Sequence, residues 1–132
     1  MQTKLLWFAV LLSAGAIAGC GDKASLTSGD TAQDKVTAVI DDLGTSARDG
    51  DGDRICKELF TSNLRISVAR ASGTTCAKEV GANIFSSDTK FDIGDVTVDG
   101  TTATASVTDQ DGRTSSLVFA SEDGQWRIAR IG

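Results

Sequence analysis

Histidine and tyrosine are absent from the 132 residues, and 18 aspartates and glutamates outnumber the 13 lysines and arginines, for a formal charge of −5. Without imidazole or phenol, proton-transfer chemistry would fall to a carboxylate. A zinc site would have to lean on carboxylates too, because three cysteines are the only other suitable ligands. The acidic balance, with charges scattered along the chain, lacks the basic patch that nucleic acid or anionic headgroups require. No G-x-S-x-G occurs, and no glycine loop follows a strand as a phosphate cradle would. Internal repeats are missing as well, so a chain of this length reads as one domain.

Long hydrophobic runs are also scarce. The one clear example, Leu5 to Ala18, has the length of a signal-peptide core and follows Lys4, the single charge before Cys20. A membrane-spanning helix needs about 20 apolar residues, and this run ends in small residues followed by Asp22 and Lys23. The pattern predicts a signal peptide over 1–19. Its end is more specific, because Ile17-Ala18-Gly19-Cys20 resembles the lipobox of bacterial lipoproteins. In that family the cysteine thiol receives a diacylglyceryl group, and cleavage leaves the modified cysteine as the first residue. Small residues let the backbone enter a peptidase cleft, and the thiol takes the lipid as a thioether. The resemblance implies lipidation of Cys20 and a lipid anchor on the extracytoplasmic face of a bacterial cell membrane. Two acyl chains hold stably, at about 0.8 kcal/mol per buried methylene. Ordinary secretory cleavage, with Cys20 a bystander, is the alternative. Losing residues 1–19 removes one basic residue and no acid, which moves the charge from −5 to −6 and favours solubility.

With Cys20 assigned to the lipid, Cys56 and Cys76 remain as an even pair in a compartment where disulfides persist. Bridging them closes a loop of about 20 residues, worth roughly 3 kcal/mol in the chain-entropy treatment. Two free thiols, or half of a metal site, are the alternatives. No metal and no cofactor are expected. Residues 20–30 comprise the lipidated cysteine and "GDKASLTSGD", a Gly/Ser-rich flexible tether. The domain is placed at 31–132. Ala32, Val36, Val39, Ile40, Leu43 and Ala47 mark one face of a helix that Asp30 or Thr31 can cap and Gly50 can end. The alternating Asp49, Asp51 and Asp53 resemble the start of a calcium loop, but positions six and twelve hold Arg54 and Phe60 where an EF-hand needs Gly and Glu. A cap followed by a second helix, with Ile55, Cys56, Leu59 and Phe60 inward, explains them better. "TSNLRISVARA" is assigned as a third helix, although Leu64, Ile66 and Val68 also alternate as a strand would. Cys76, Val80 and Ile84 mark a fourth, which the disulfide would pin to the second.

The second half changes character. Asp-Gly pairs at 99–100, 111–112 and 123–124 separate Thr- and Val-rich runs and predict a four-stranded antiparallel meander at about 90–98, 101–109, 113–121 and 125–131. Two-residue turns at the outer pairs set Val96 opposite Ala103 and Phe119 opposite Ile128. Val96, Val98, Ala103, Ala105 and Val107 then share a face with Leu117, Phe119, Trp126 and Ile128 only if the middle loop is odd. A three-residue Gln110-Asp111-Gly112 loop with left-handed Gly112 satisfies that condition. Phe91 and Ile93 fall out of phase with Val96, which calls for a bulge near Gly94. Helices followed by such a sheet give an α+β fold, with N-terminal helices packed on a curved meander.

The helix ending "ARDGD", then "ICKELF", "CAKEV" and the closing "EDGQWRIARI" resemble the nuclear-transport-factor-two-like superfamily, notably its cysteine-paired bacterial lipoproteins. The resemblance covers about 31–132 and is most specific at Asp123, Gly124, Trp126, Arg127 and Ile128. It implies a cone of helices and curved sheet, able to enclose a pocket. Enzymes of the family, among them isomerases, dehydratases and cyclases, use Asp, His and Tyr; here a lone carboxylate such as Asp92 or Asp95 on the first strand would have to serve, and each is more simply read as a solvated strand charge. The expected function is a membrane-anchored, non-catalytic domain that binds a small apolar ligand or an envelope protein, with no nucleic-acid partner. Leu117, Phe119, Trp126 and Ile128 are the candidate pocket residues, and Trp126 the expected fluorescent reporter. A carboxylate-dependent enzyme and a purely structural interaction domain are the competing classes.

Overall fold

The computed structural model describes residues 31–132. The signal peptide expected over 1–19, the anchor Cys20 and the tether to residue 30 lie outside the described residues. Helix α1 spans Ala32–Arg48, and Thr31 caps it by accepting from Asp34 N. Its end closes with Gly50 N donating to Ala47 O and Asp51 N to Ser46 O, the two bonds of a Schellman turn around left-handed Gly50. Helix α2 begins at Gly52–Arg54, capped by Asp51, and widens into a π turn over Ile55–Leu59 that Phe60 N closes onto Ile55 O at 2.9 Å. Helix α3, Ser62–Ser72, runs from a Thr61 cap to left-handed Gly73. Its helical period overrides the strand-like alternation: Leu64 and Val68 pack on the core while Ile66 is left 48% exposed. Helix α4 repeats the pattern of α2, with Cys76–Glu79 followed by a π turn at Val80–Ile84.

The aspartates that suggested a calcium loop have other tasks. Asp49 ends α1, Asp51 accepts from Arg54 N, and Asp53 pairs with Lys57 at 3.2 Å. Among the described residues no group of three or more His, Cys, Asp or Glu is placed to hold a metal ion. No described helix is long and apolar enough to cross a membrane.

Strands β1 (Asp92–Asp99), β2 (Thr102–Thr108), β3 (Thr114–Glu122) and β4 (Gln125–Ile131) form an open antiparallel sheet in sequence order. The fold is α+β. The middle loop is Gln110-Asp111-Gly112, with Gly112 at φ 79° and Asp109 N donating to Arg113 O. The last turn has Asp123 at φ 54° and Gly124 at φ 77°, a primed turn that sets Phe119 opposite Ile128. The first turn differs from the sequence expectation. Asp99 pairs with Thr102, so the two-residue turn is Gly100-Thr101 and Val96 lies opposite Ala105 instead of Ala103. Glycine at the first central position, φ 60°, suits the alternative primed turn. The slip is two residues, so every side chain keeps its face. The bulge falls between Ile93 and Val96 as the phase change required, and a second, between Val118 and Phe119 in the register, brings Ile131 opposite Leu117.

The helices cover one face of this sheet. Phe60, Phe119, Ile40, Leu43, Ile55 and Ile128 are each less than 2% exposed, and burying one such side chain contributes about 1.5–3 kcal/mol. Among the described residues the buried apolar side chains run from Val36 to Ile128, drawn from the helices and from the inner face of the sheet. Cys56 and Cys76 form a disulfide between the π turn of α2 and the start of α4. Beside it, a Cβ built on Gly52 would meet the Ala77 backbone carbonyl carbon at 2.9 Å. Only glycine lets the two helices approach so closely.

The β3–β4 hairpin fastens the junction of α2 and α3. Arg127 donates to the carbonyls of Lys57 (2.7 Å) and Phe60 (3.5 Å), a cation where α2 ends. Glu122 accepts from Ser62 N and Oγ, an anion where α3 begins. Between these contacts Thr61 N donates to Ile128 O at 2.9 Å.

Candidate functional site

One end of the sheet is incompletely filled. There, where α1 finishes and the β2–β3 loop turns, a cleft of about 180 Å³ remains. Its apolar walls are Leu43, Phe85, Phe91, Val107, Leu117 and Ile131. Phe85 and Phe91 meet edge to face with ring centres 6.1 Å apart. The segment that carries them is folded by local hydrogen bonds: Thr89 Oγ1 accepts from Ser86 N, and Thr89 N donates to Ser86 O. Two outside groups tie it down. Arg48 at the end of α1 donates to Thr89 O at 3.1 Å, and Lys90 N donates to Gln110 Oε1 at 3.3 Å. The cleft is therefore walled by α1, this turn and the inner face of β2–β3, and its rim is polar at Asp109, Gln110 and Arg113.

The four pocket residues suggested by the sequence are not brought to one space. Leu117 borders the cleft. Phe119 and Ile128 are fully buried in the core. Trp126 is half-buried and lines a separate, shallow groove with Lys35, Val39, Asp42 and Glu58. Ser121, its partner on β3, is about 20 Å along the strand from Ser115 in the cleft. Cys56 and Cys76 are joined by their disulfide, and Cys20 lies outside the described residues. Asp92 and Asp95 are exposed and border neither space.

Two kinds of cleft residue were absent from the sequence reading. Asp109 and Arg113 follow from it by extension, since each stands two residues beyond an inward-facing position, Val107 and Ser115, across an odd loop. Phe85 carried no such signal, because periodicity stops at Ile84 and nothing local says where the next turn packs. Comparison with protein-family models, curated proteins and solved structures yields no match to this chain. The cleft is apolar within and polar and charged at its mouth.

Proposed function

We propose that this protein is a lipid-anchored domain on the extracytoplasmic face of a bacterial membrane, non-catalytic and nuclear-transport-factor-two-like, that holds a small apolar ligand in the cleft at the end of α1. The lipobox-like Ile17-Ala18-Gly19-Cys20 supports the anchor, and the Cys56–Cys76 bridge supports an oxidising compartment. The cleft carries the ligand reading. An apolar cavity of about 150 Å³ is enough to hold benzene, so a space of 180 Å³ takes a single ring or a short branched chain. Leu43 stands about 18 Å along the axis of α1 from Thr31, so the ligand site is set well back from the end of the helix that the tether enters. The carboxylate at the mouth, Asp109, serves the loop: its Oδ1 accepts from Asp111 N and Arg113 N, both at 2.9 Å.

The test is thermal. Residues 21–132 with toluene at ten times Kd gain about 1.4 kcal/mol, a rise of roughly 6–11 °C for a domain of this size. Ser115→Phe places a ring of the probe's own size in the cleft and is expected to abolish the response. No rise up to the solubility limit of toluene, or an equal rise in the variant, overturns the assignment. An envelope protein is the second reading, favoured by the apolar groove of about 480 Å³ beside the disulfide, which is lined by Cys56, Ala69 and Ala77 and by exposed Ile66.

A further inference from the structure

The mouth of the cleft carries one charge of each sign. Asp109 and Arg113 are backbone partners across the loop, Asp109 N donating to Arg113 O at 2.9 Å. Val107 and Ser115 are the pair two positions further along, and all four residues border the cleft. Opposite charges directly across two strands stand about 5 Å apart at Cβ and ordinarily attract each other. These two form no salt bridge, nor does either ion-pair with another described residue. Asp109 turns one oxygen to the loop amides, which takes two of its roughly four acceptor positions. The Arg113 side chain is exposed and makes no hydrogen bond among the described residues. An anion acceptor and a cation acceptor thus sit side by side above an apolar cleft, each with capacity to spare.

We propose that the cleft binds a small zwitterion with an apolar side chain, an apolar α-amino acid, with its carboxylate on Arg113, its ammonium on Asp109 and its side chain between Phe85, Phe91, Val107 and Leu117. This rests on the ligand reading given above. The two rim charges act as a filter. A simple carboxylic acid sets its charge beside that of Asp109, and a simple amine sets its own beside Arg113; like charges brought together disfavour both. A zwitterion meets neither penalty. The volume of about 180 Å³ admits a benzyl or isobutyl group.

Residues 21–132, which include every buried core residue among the described ones, are titrated with L-phenylalanine, 3-phenylpropionate, phenethylamine and toluene, and backbone amide spectra give the affinities. L-phenylalanine is expected to bind about fivefold more tightly than either singly charged analogue, each exposed ion pair being worth up to about that factor, and the preference shrinks as salt is raised. Asp109→Asn keeps the acceptor for the loop amides and is expected to erase the preference over 3-phenylpropionate. Arg113→Gln is expected to erase the preference over phenethylamine. If toluene binds in the cleft and L-phenylalanine shows no advantage over the analogues, the zwitterion proposal is overturned while the apolar-ligand reading stands. If none of the four probes shifts Val107, Ser115 or Leu117, both are overturned. The wild-type series decides this even if a variant fails to fold.

Discussion

Replacing Cys56 and Cys76 by alanine removes the one covalent link between α2 and α4, and its cost can be worked from the chain separation of 20 residues. Restoring that loop's freedom to the unfolded chain gives about 3 kcal/mol of destabilisation. The sulfurs also pack, since the cysteines are only 3% and 5% exposed, so the full effect is about 3–4 kcal/mol. For a domain of about 100 residues each kcal/mol lowers Tm by roughly 4–8 °C, so the double variant is expected to melt at least 12 °C lower. Urea unfolding of residues 21–132 measures the free energy directly. Either single alanine variant also opens the bridge, so each is expected to lose nearly as much as the double; the coupling in the double-mutant cycle is then about the whole effect. The native protein is expected to show no reactive thiol before reduction and two after. Two reactive thiols before reduction, or a double variant within 1 kcal/mol of the parent, would refute this reasoning.

Gly52→Ala drives a Cβ into the Ala77 backbone, and a loss of about 2–3 kcal/mol in urea unfolding is expected; an unchanged midpoint would mean that α2 and α4 do not approach as described. Arg127→Ala strips the carbonyls of Lys57 and Phe60 of their donor, which should cost about 1–3 kcal/mol and leave apolar-ligand affinity in the cleft unaltered. Cys20→Ala is expected to abolish incorporation of labelled palmitate and shift the protein out of the detergent phase, and normal partitioning of that variant would remove the anchor. Trp126 is the one tryptophan of residues 21–132 and borders the other groove, so a ligand in the cleft is expected to leave its emission maximum unmoved, contrary to its role as reporter in the sequence reading.

The elements were legible because their signals are local. The α1 stripe, the cap at Thr31 and the Asp-Gly pairs each depend on a few neighbouring residues. Even the odd β2–β3 loop followed from a parity condition on Ala105 and Leu117. The first turn moved by one residue, and its register by two, because Asp99-Gly100 and Gly100-Thr101 both satisfy primed-turn chemistry, and a register shift of two does not change the face. The π turns at Ile55–Leu59 and Val80–Ile84 had no local signature; each adds a residue to a helical turn only where packing demands it. Glu122 and Arg127 show why the closing motif marks architecture. Their partners, Ser62 and Lys57, are 60 and 70 residues away, beyond any pattern read along the chain. The four pocket candidates suffered from the same limit. Alternation puts Leu117, Phe119, Trp126 and Ile128 on one face, but which part of that face the helices fill depends on how far α1 extends over it.

The most direct test of the ligand site is an isotope-filtered nuclear Overhauser experiment on residues 21–132 saturated with toluene. Contacts from the toluene protons to the methyl groups of Val107, Leu117 and Ile131 are expected, with none to Val39 beside Trp126. Contacts confined to Val39 or to Ile66, or no intermolecular contacts at all, would contradict the cleft as the place where this domain holds its ligand.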